Sequence, residues 1–396
     1  MGLQFSVGVQ FSVGRQGPDP LTGYSPLTVN RSPVTVLIAG GGTGGHLMPA
    51  LAIAGALRRV HPDWRIVLAG AKRGVEAKLL STREFPYHLL AAEPIYRRQW
   101  WKNLRWPLLA VRLIREVDRL LDLERPSVVV GTGGYAAGPV VWRAARRGLP
   151  TAIQEQNAYP GFATRRLARV TREIWLGVPE ARRHLRPGPN TRIVETGSPI
   201  VPPDPALRPE AMRRFGLDPG RPVVLVTGGS QGAKALNEAV AGWIGGGTGV
   251  GGDPQVLWAT GRGTYEQFRS QHRPPGVQVF DFLDPMAFAY AVADLAISRA
   301  GMMTLSELCA WGVPSILVPL PSAAADHQTS NARALAEAGA AVNLPQSELT
   351  SGRLGELVAG VLLDPSRRAR MAAAARSRGH PDAAAHIATR IGLLSG

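Results

Sequence analysis

The 396-residue chain has one cysteine, Cys309, so neither a disulfide framework nor a cysteine-based zinc site can be built from it. That usage fits a reducing compartment. No uninterrupted apolar run reaches the ~20 residues that a membrane-spanning helix needs, which leaves a chain that is soluble or rests on a membrane without crossing it. Aromatic residues are few, at 6%, and carboxylates are scarce: 29 Asp and Glu stand against 45 Lys and Arg, a formal charge of +16. Such an excess suits an anionic partner (nucleic acid, an acidic membrane surface or a phosphorylated substrate) or is a solvated, arginine-rich surface. Two motifs are also missing. Without Gly-Lys-Ser/Thr the chain does not read as a P-loop nucleotidase. Without Asp-x-Asp no metal is expected on a diphosphate, whose charge helix dipoles can meet instead.

What is present is glycine in particular places. Ala39-Gly40-Gly41-Gly42-Thr43-Gly44-Gly45-His46 follows the β-branched, apolar run Val34 to Ile38, which reads as a buried strand. Leu47, Ala50, Leu51, Ala54 and Leu57 then recur at helical spacing until His61-Pro62. Strand, glycine turn and helix point unpaired backbone N–H groups at an anion, and phosphate is the anion they suit. The device returns. Ser127 to Val130 runs into Gly131-Thr132-Gly133-Gly134-Tyr135, and Val223 to Thr227 into Gly228-Gly229-Ser230-Gln231-Gly232-Ala233. Leu295 to Ser298 leads through Gly301 to a helix with Thr304 in its first turn and Glu307 one turn on. The strand Thr151 to Ile153 ends in the polar cluster Gln154-Glu155-Gln156-Asn157.

Strands alternating with helices imply parallel sheets, whose ligands gather beyond the strands' carboxyl ends. Length and the repeated device imply two similar α/β halves. The proline-rich stretch from Pro199 to Pro222 reads as the linker between them. The expected division is an N-terminal extension over 1–32, left out of the fold, then an acceptor and membrane domain over 33–199. A donor domain follows over 200–375, and a C-terminal helix over 376–396 that returns to the first domain. Three tryptophans among four basic residues between Ile95 and Leu109 make an interface-seeking stretch or a helix packed on the protein's own core.

Gly40-x-Gly42-x-x-Gly45 also satisfies the dinucleotide-binding pattern. The second strand ends in Gly70-Ala71-Lys72-Arg73, however, with no acidic residue for a ribose, so an NADP-dependent reductase is a weak alternative. A nucleic-acid binder would need aromatic stacking platforms along a basic groove. Here the dense aromatic cluster is the one just before Pro107 and the glycine turns recur at strand ends, so nucleic acid is not expected as a partner.

The ordered set Gly41 to His46, Gly133-Gly134-Tyr135 with Gly138-Pro139, Glu155-Gln156-Asn157, Gly228 to Ala233 and Gly301 to Glu307 resembles the MurG family. These are the UDP-N-acetylglucosamine:lipid I transferases of bacterial peptidoglycan synthesis, in glycosyltransferase family 28. The likeness spans about residues 34 to 390. It implies a GT-B fold: two Rossmann-like, doubly wound parallel-sheet domains facing a central cleft. It implies UDP-GlcNAc as donor, lipid I (undecaprenyl-pyrophosphoryl-MurNAc-pentapeptide) as acceptor, lipid II as product, inversion at the anomeric carbon, and no cofactor. It also implies work as a peripheral protein at the cytoplasmic face of the cell membrane. A related transferase with another acceptor is the alternative.

Carried over position by position, the resemblance puts donor contacts at Thr43, Gly44, Gly45, Asn157, Ser230, Leu283, Met302, Met303, Thr304, Leu305, Ser306, Glu307 and Gln328. It gives the Leu283 backbone the uracil, Glu307 the ribose hydroxyls, Ser230 and the helix start near Met303 the diphosphate, and Gln328 the sugar hydroxyls. The acceptor pyrophosphate falls to Gly44, Gly45, Gly133, Gly134 and Tyr135. Trp100, Trp101, Arg105 and Trp106 are the membrane contact. His46 is either the general base for the acceptor's C4 hydroxyl or a cap on its helix. Glu155 is either catalytic or a support for Asn157. Two positions depart from the family pattern: Val201 stands where an arginine is usual, and Gln154 where a histidine precedes Glu-Gln-Asn.

Overall fold

The computed structural model describes residues 34–41, 44–72, 80, 84–93, 106–229, 232–247, 253–321 and 327–396. The expectations placed on the 1–32 extension and on Gly42, Thr43, Trp100, Trp101, Arg105, Ser230, Gln231 and the Trp106 side chain lie outside the described residues.

Seven strands form the first sheet: β1 (Thr35–Ala39), β2 (Arg65–Ala71), β3 (Tyr87–Leu90), β4 (Val128–Gly131), β5 (Thr151–Glu155), β6 (Glu173–Leu176) and β7 (Arg192–Glu195). Their order is β3-β2-β1-β4-β5-β6-β7, and every pairing is parallel. The helices connecting them are α1 (Gly44–Val60), α2 (Trp106–Glu124), α3 (Gly134–Arg146) and α4 (Phe162–Leu167). Alternation along β1 assigns its two faces. Val36 and Ile38 face the layer holding Leu47, Ile53 and Leu57 of α1, whereas Leu37 and Ala39 face Leu113 and Val117 of α2 and Val140 of α3. Both faces are covered, so these strands read as continuous apolar runs.

The second sheet repeats this plan with β8 (Val223–Thr227), β9 (Gln255–Ala259), β10 (Val277–Phe280), β11 (Leu295–Ser298), β12 (Ser315–Leu317) and β13 (Ala341–Asn343). Its order is β10-β9-β8-β11-β12-β13, again all parallel. Its helices are α5 (Arg208–Phe215), α6 (Lys234–Gly245), α7 (Tyr265–Phe268), α8 (Ala287–Val292), α9 (Met302–Trp311), α10 (His327–Glu337), α11 (Ser351–Leu362) and α12 (Pro365–Arg378). In each sheet the strand order reverses once, between β1 and β4 and between β8 and β11. Such switch points open the crevices in which doubly wound sheets bind ligands.

The stretch read as a linker is partly structured. Pro209 stands in the first turn of α5, where a missing N–H costs nothing. Ala211 and Phe215 bury against Leu225, Leu257 and Tyr290, which makes α5 part of the second domain. After α12 the chain crosses back, and α13 (Ala383–Ser395) packs on the first domain. Ala384, Ile387, Ala388 and Ile391 join the core that holds Val36 and Ile38. Arg390 pairs with the buried Glu173 at the head of β6, which also accepts from the Trp175 indole at 2.7 Å. The outward and return crossings touch each other: Gly197, with φ +79°, lies against the His380 ring. Beside them Arg378 of α12 pairs with Glu180 of the first domain at 3.0 Å.

Candidate active site

The two glycine turns of the first domain stand at the carboxyl ends of the neighbouring strands β1 and β4 and pack backbone to backbone. The Gly41 N–H donates to the Gly133 carbonyl at 3.4 Å. Gly134 holds φ +80°, and a Cβ there would run into the Gly41 carbonyl. Only glycine meets both conditions. Thr132 bridges the turns, its Oγ1 donating to the His46 carbonyl at 2.7 Å.

His46 is half-buried in the first turn of α1. Its ring lies over Gly133, where an added Cβ would meet Cδ2 at 2.5 Å. Gly44, Gly45, His46, Gly133, Gly134 and Tyr135 are therefore gathered at the β1/β4 switch point. Glu155, at the end of β5, is buried and committed to local partners. Its Oε1 accepts from the Asn157 backbone N–H at 3.0 Å and from Asn157 Nδ2 at 3.2 Å, and its Oε2 from the Gly161 N–H at 3.0 Å. Of the two readings of Glu155, this geometry favours support of Asn157, which is itself half-buried. Gln156 locks the same loop to the glycine turn by donating to the Thr132 carbonyl at 2.7 Å. It also donates to Gln154 Oε1, so the residue that stands in place of the family's histidine has a structural use.

In the second domain, α9 starts at the end of β11 from Gly301, an N-cap residue that has no side chain to cap the first N–H groups. An uncapped helix start at a switch point suits a diphosphate. Met302 and Leu305 bury their side chains, and Ser306 Oγ donates back to the Met302 carbonyl at 2.9 Å. Met303 and Glu307 face a cavity of about 280 Å³ between the domains, lined also by Met48 and Leu51 of α1, Pro199 and Val201. Its basic side chain is Arg59 of α1. Glu307 accepts from the Tyr290 hydroxyl at 2.7 Å, and burial raises its pKa from the ordinary carboxylate value against the lowering effect of that bond. Leu283 is buried just beyond β10. Gln328, in the first turn of α10, accepts from the Leu320 N–H at 3.0 Å, which fixes its carbonyl end.

Two supports escaped the sequence reading. Arg299, directly after β11, is buried. It donates to the Val318 and Pro319 carbonyls at 3.0 and 3.2 Å and to Gln346 Oε1 at 2.7 Å, holding the loop that leads to Leu320. An arginine closing an apolar strand was the available signal. Asn237 of α6, fully buried, donates to the Thr260 carbonyl and accepts from the Trp258 indole at 3.0 Å, tying α6 to β9. A lone amide inside an apolar helix pattern marked it. Among the described residues no group of His, Cys, Asp or Glu side chains is gathered as a metal site, and no helix is long and apolar enough to cross a membrane.

Two doubly wound, all-parallel α/β domains joined in one chain are the architecture of a glycosyltransferase of the GT-B type. Residues 36–175 match the glycosyltransferase family 28 N-terminal domain, and residues 223–387 match its C-terminal domain. The chain belongs to glycosyltransferase family 28. It is 42% identical over 362 residues to the UDP-N-acetylglucosamine–N-acetylmuramyl-(pentapeptide) pyrophosphoryl-undecaprenol N-acetylglucosamine transferase of Salinibacter ruber, covering 91% of this chain and 96% of that protein. The enzyme of the same name from Prosthecochloris aestuarii is 38% identical, over 91% and 99%. The crystal structure of Acinetobacter baumannii MurG superposes with a TM-score of 0.70 at 29% identity, covering 91% of this chain and all of that one. The calicheamicin glycosyltransferase CalG4, 16% identical with a TM-score of 0.64 over 92% and 98%, shares the fold.

Proposed function

We propose that the chain moves GlcNAc from UDP-GlcNAc to the C4 hydroxyl of MurNAc in lipid I, giving lipid II with inversion, at the cytoplasmic face of the cell membrane. The observation that carries this reading is the pairing of an uncapped α9 start with the Glu307 carboxylate one turn further on, in the cleft facing α1. Helix N–H groups suit the diphosphate, and a carboxylate suits a ribose diol. The relatives named above carry the same activity in their names.

In one displacement the acceptor oxygen attacks the anomeric carbon as the bond to the UDP oxygen breaks, and the electron pair leaves with UDP. His46 takes the acceptor proton, and α9 meets the charge that grows on the diphosphate, without metal. Met302 to Ser306 contribute backbone around the phosphates. Thr43, Gly44, Gly45, Asn157, Ser230, Leu283 and Gln328 complete the donor contacts, and Gly44, Gly45, Gly133, Gly134 and Tyr135 take the acceptor pyrophosphate. Glu155 is a positioning residue for Asn157. Arg59 is the cation that lines the same cavity as Val201.

The test supplies UDP-GlcNAc and a short-chain lipid I analogue and follows UDP release. His46→Ala is expected to turn over ~10²–10⁴-fold more slowly, the usual worth of a general base. Full activity of that variant would exclude the base role, and no turnover by the wild type would exclude the transfer.

A further inference from the structure

A second cavity, of about 380 Å³, opens at the other end of the second sheet, away from the glycine turns. Asp294 and Pro314, which immediately precede β11 and β12, form part of its lining. A volume of this order suits a small organic molecule. Arg208 of α5 and Arg368 and Arg376 of α12 all reach it.

Two of these guanidiniums are held in place by contacts of the fold, those of Arg208 and Arg376. Arg208 donates to the Ala291 carbonyl at 3.0 Å. Arg376 lies on Gly312, where φ is +68° and a Cβ would meet the guanidinium at 2.5 Å, so the seat depends on the glycine. Asp294, the carboxylate in the lining, is occupied by the Val223 N–H at 2.9 Å. Among the described residues none of the three arginines pairs with a carboxylate. Cations turned towards one cavity repel each other, and an anion with several acceptor oxygens relieves that by charge-assisted bonds. The lining also carries an aromatic wall: Tyr290 and Trp311, with ring centroids 6.4 Å apart and tilted by 37°. Such a wall takes a flat group.

We propose that this cavity is a second ligand site, taking a phosphate monoester that carries a planar organic body. It is separate from the reaction cleft, although Tyr290 serves both: its ring lines the cavity and its hydroxyl holds Glu307.

Phenyl phosphate is the probe, titrated calorimetrically into the full chain with UDP saturating, beside inorganic phosphate and phenol. One saturable site is expected, tighter for phenyl phosphate than for either fragment. Arg368→Gln combined with Arg376→Gln is expected to weaken it about tenfold or more at unchanged melting temperature. Should that pair be unstable, Arg368→Gln alone is expected to weaken it in the same direction. Trp311→Leu is expected to lower affinity for phenyl phosphate and to spare inorganic phosphate. Equal affinity of wild type and arginine variants, or no saturable binding, overturns the site. Equal affinity for phenyl phosphate and inorganic phosphate overturns the planar body. Failure of UDP itself to bind would count against the transfer reading and would leave this titration intact.

Discussion

The Tyr290 hydroxyl donates to Glu307 Oε2 at 2.7 Å, so the carboxylate assigned to the donor ribose is aimed from behind by a residue of α8. Burial raises the Glu307 pKa, against that hydrogen bond. The group therefore takes up its proton at a higher pH than a free glutamate does, and the ionised form that accepts from a diol is lost earlier on acidification. UDP affinity is expected to fall as pH drops from neutral through the upper carboxylate range. Glu307→Gln is expected to bind UDP about tenfold more weakly at neutral pH, with that pH step removed. Calorimetric titration across pH checks both, and an unaltered step in the variant would assign it to another group.

Gly134→Ala places a methyl group against the Gly41 carbonyl while holding φ at +80°. A destabilisation of ~2 kcal/mol or more is expected from the strained backbone and the clash together. Urea denaturation reads the stability. Transferase activity should fall in the folded fraction as well, because the two turns share one hydrogen-bonded arrangement.

Ile387→Ala removes a fully buried side chain by which α13 is held to the first domain, for which ~2–5 kcal/mol is the usual cost. Arg390→Ala is expected to cost ~3–5 kcal/mol, since it leaves the buried Glu173 without its cation. Arg390→Met with Glu173→Gln should recover much of the second loss. Chemical denaturation of all three variants tests the order.

Replacing Trp100, Trp101 and Trp106 with serine is expected to lower binding to vesicles of acidic lipid and to weaken its salt dependence little, because the arginines remain. Co-sedimentation at two salt concentrations measures this. Unchanged partitioning would refute membrane contact by this stretch.

The strands that carry the site were legible because each is a short β-branched run ending in glycine, as in β1, β4 and β8. β6 and β7 were not. Glu173 opens β6 as a buried charge, and the Arg390 that makes this tolerable stands 217 positions later. No local pattern contains such a partner. β7, Arg192-Ile193-Val194-Glu195, is a sheet edge with polar ends. α5 was hidden by the prolines around it, although Pro209 at its start and the left-handed Gly216 at its end are ordinary helix punctuation. In the site, the turns could be read from spacing, and the family resemblance pointed to Glu307. The supports at Tyr290, Arg299 and Asn237 could not, because each acts on a residue brought near only by the sheet.

Gly197 and His380 meet where the chain leaves the first domain and where it comes back. Two covalent straps fastened at the same spot act as a pivot, whereas straps set far apart would act as a clamp. The halves can swing like the blades of scissors, with small travel beside the rivet and large travel at the mouth. Substrate entry and product departure then need no strand of either sheet to bend.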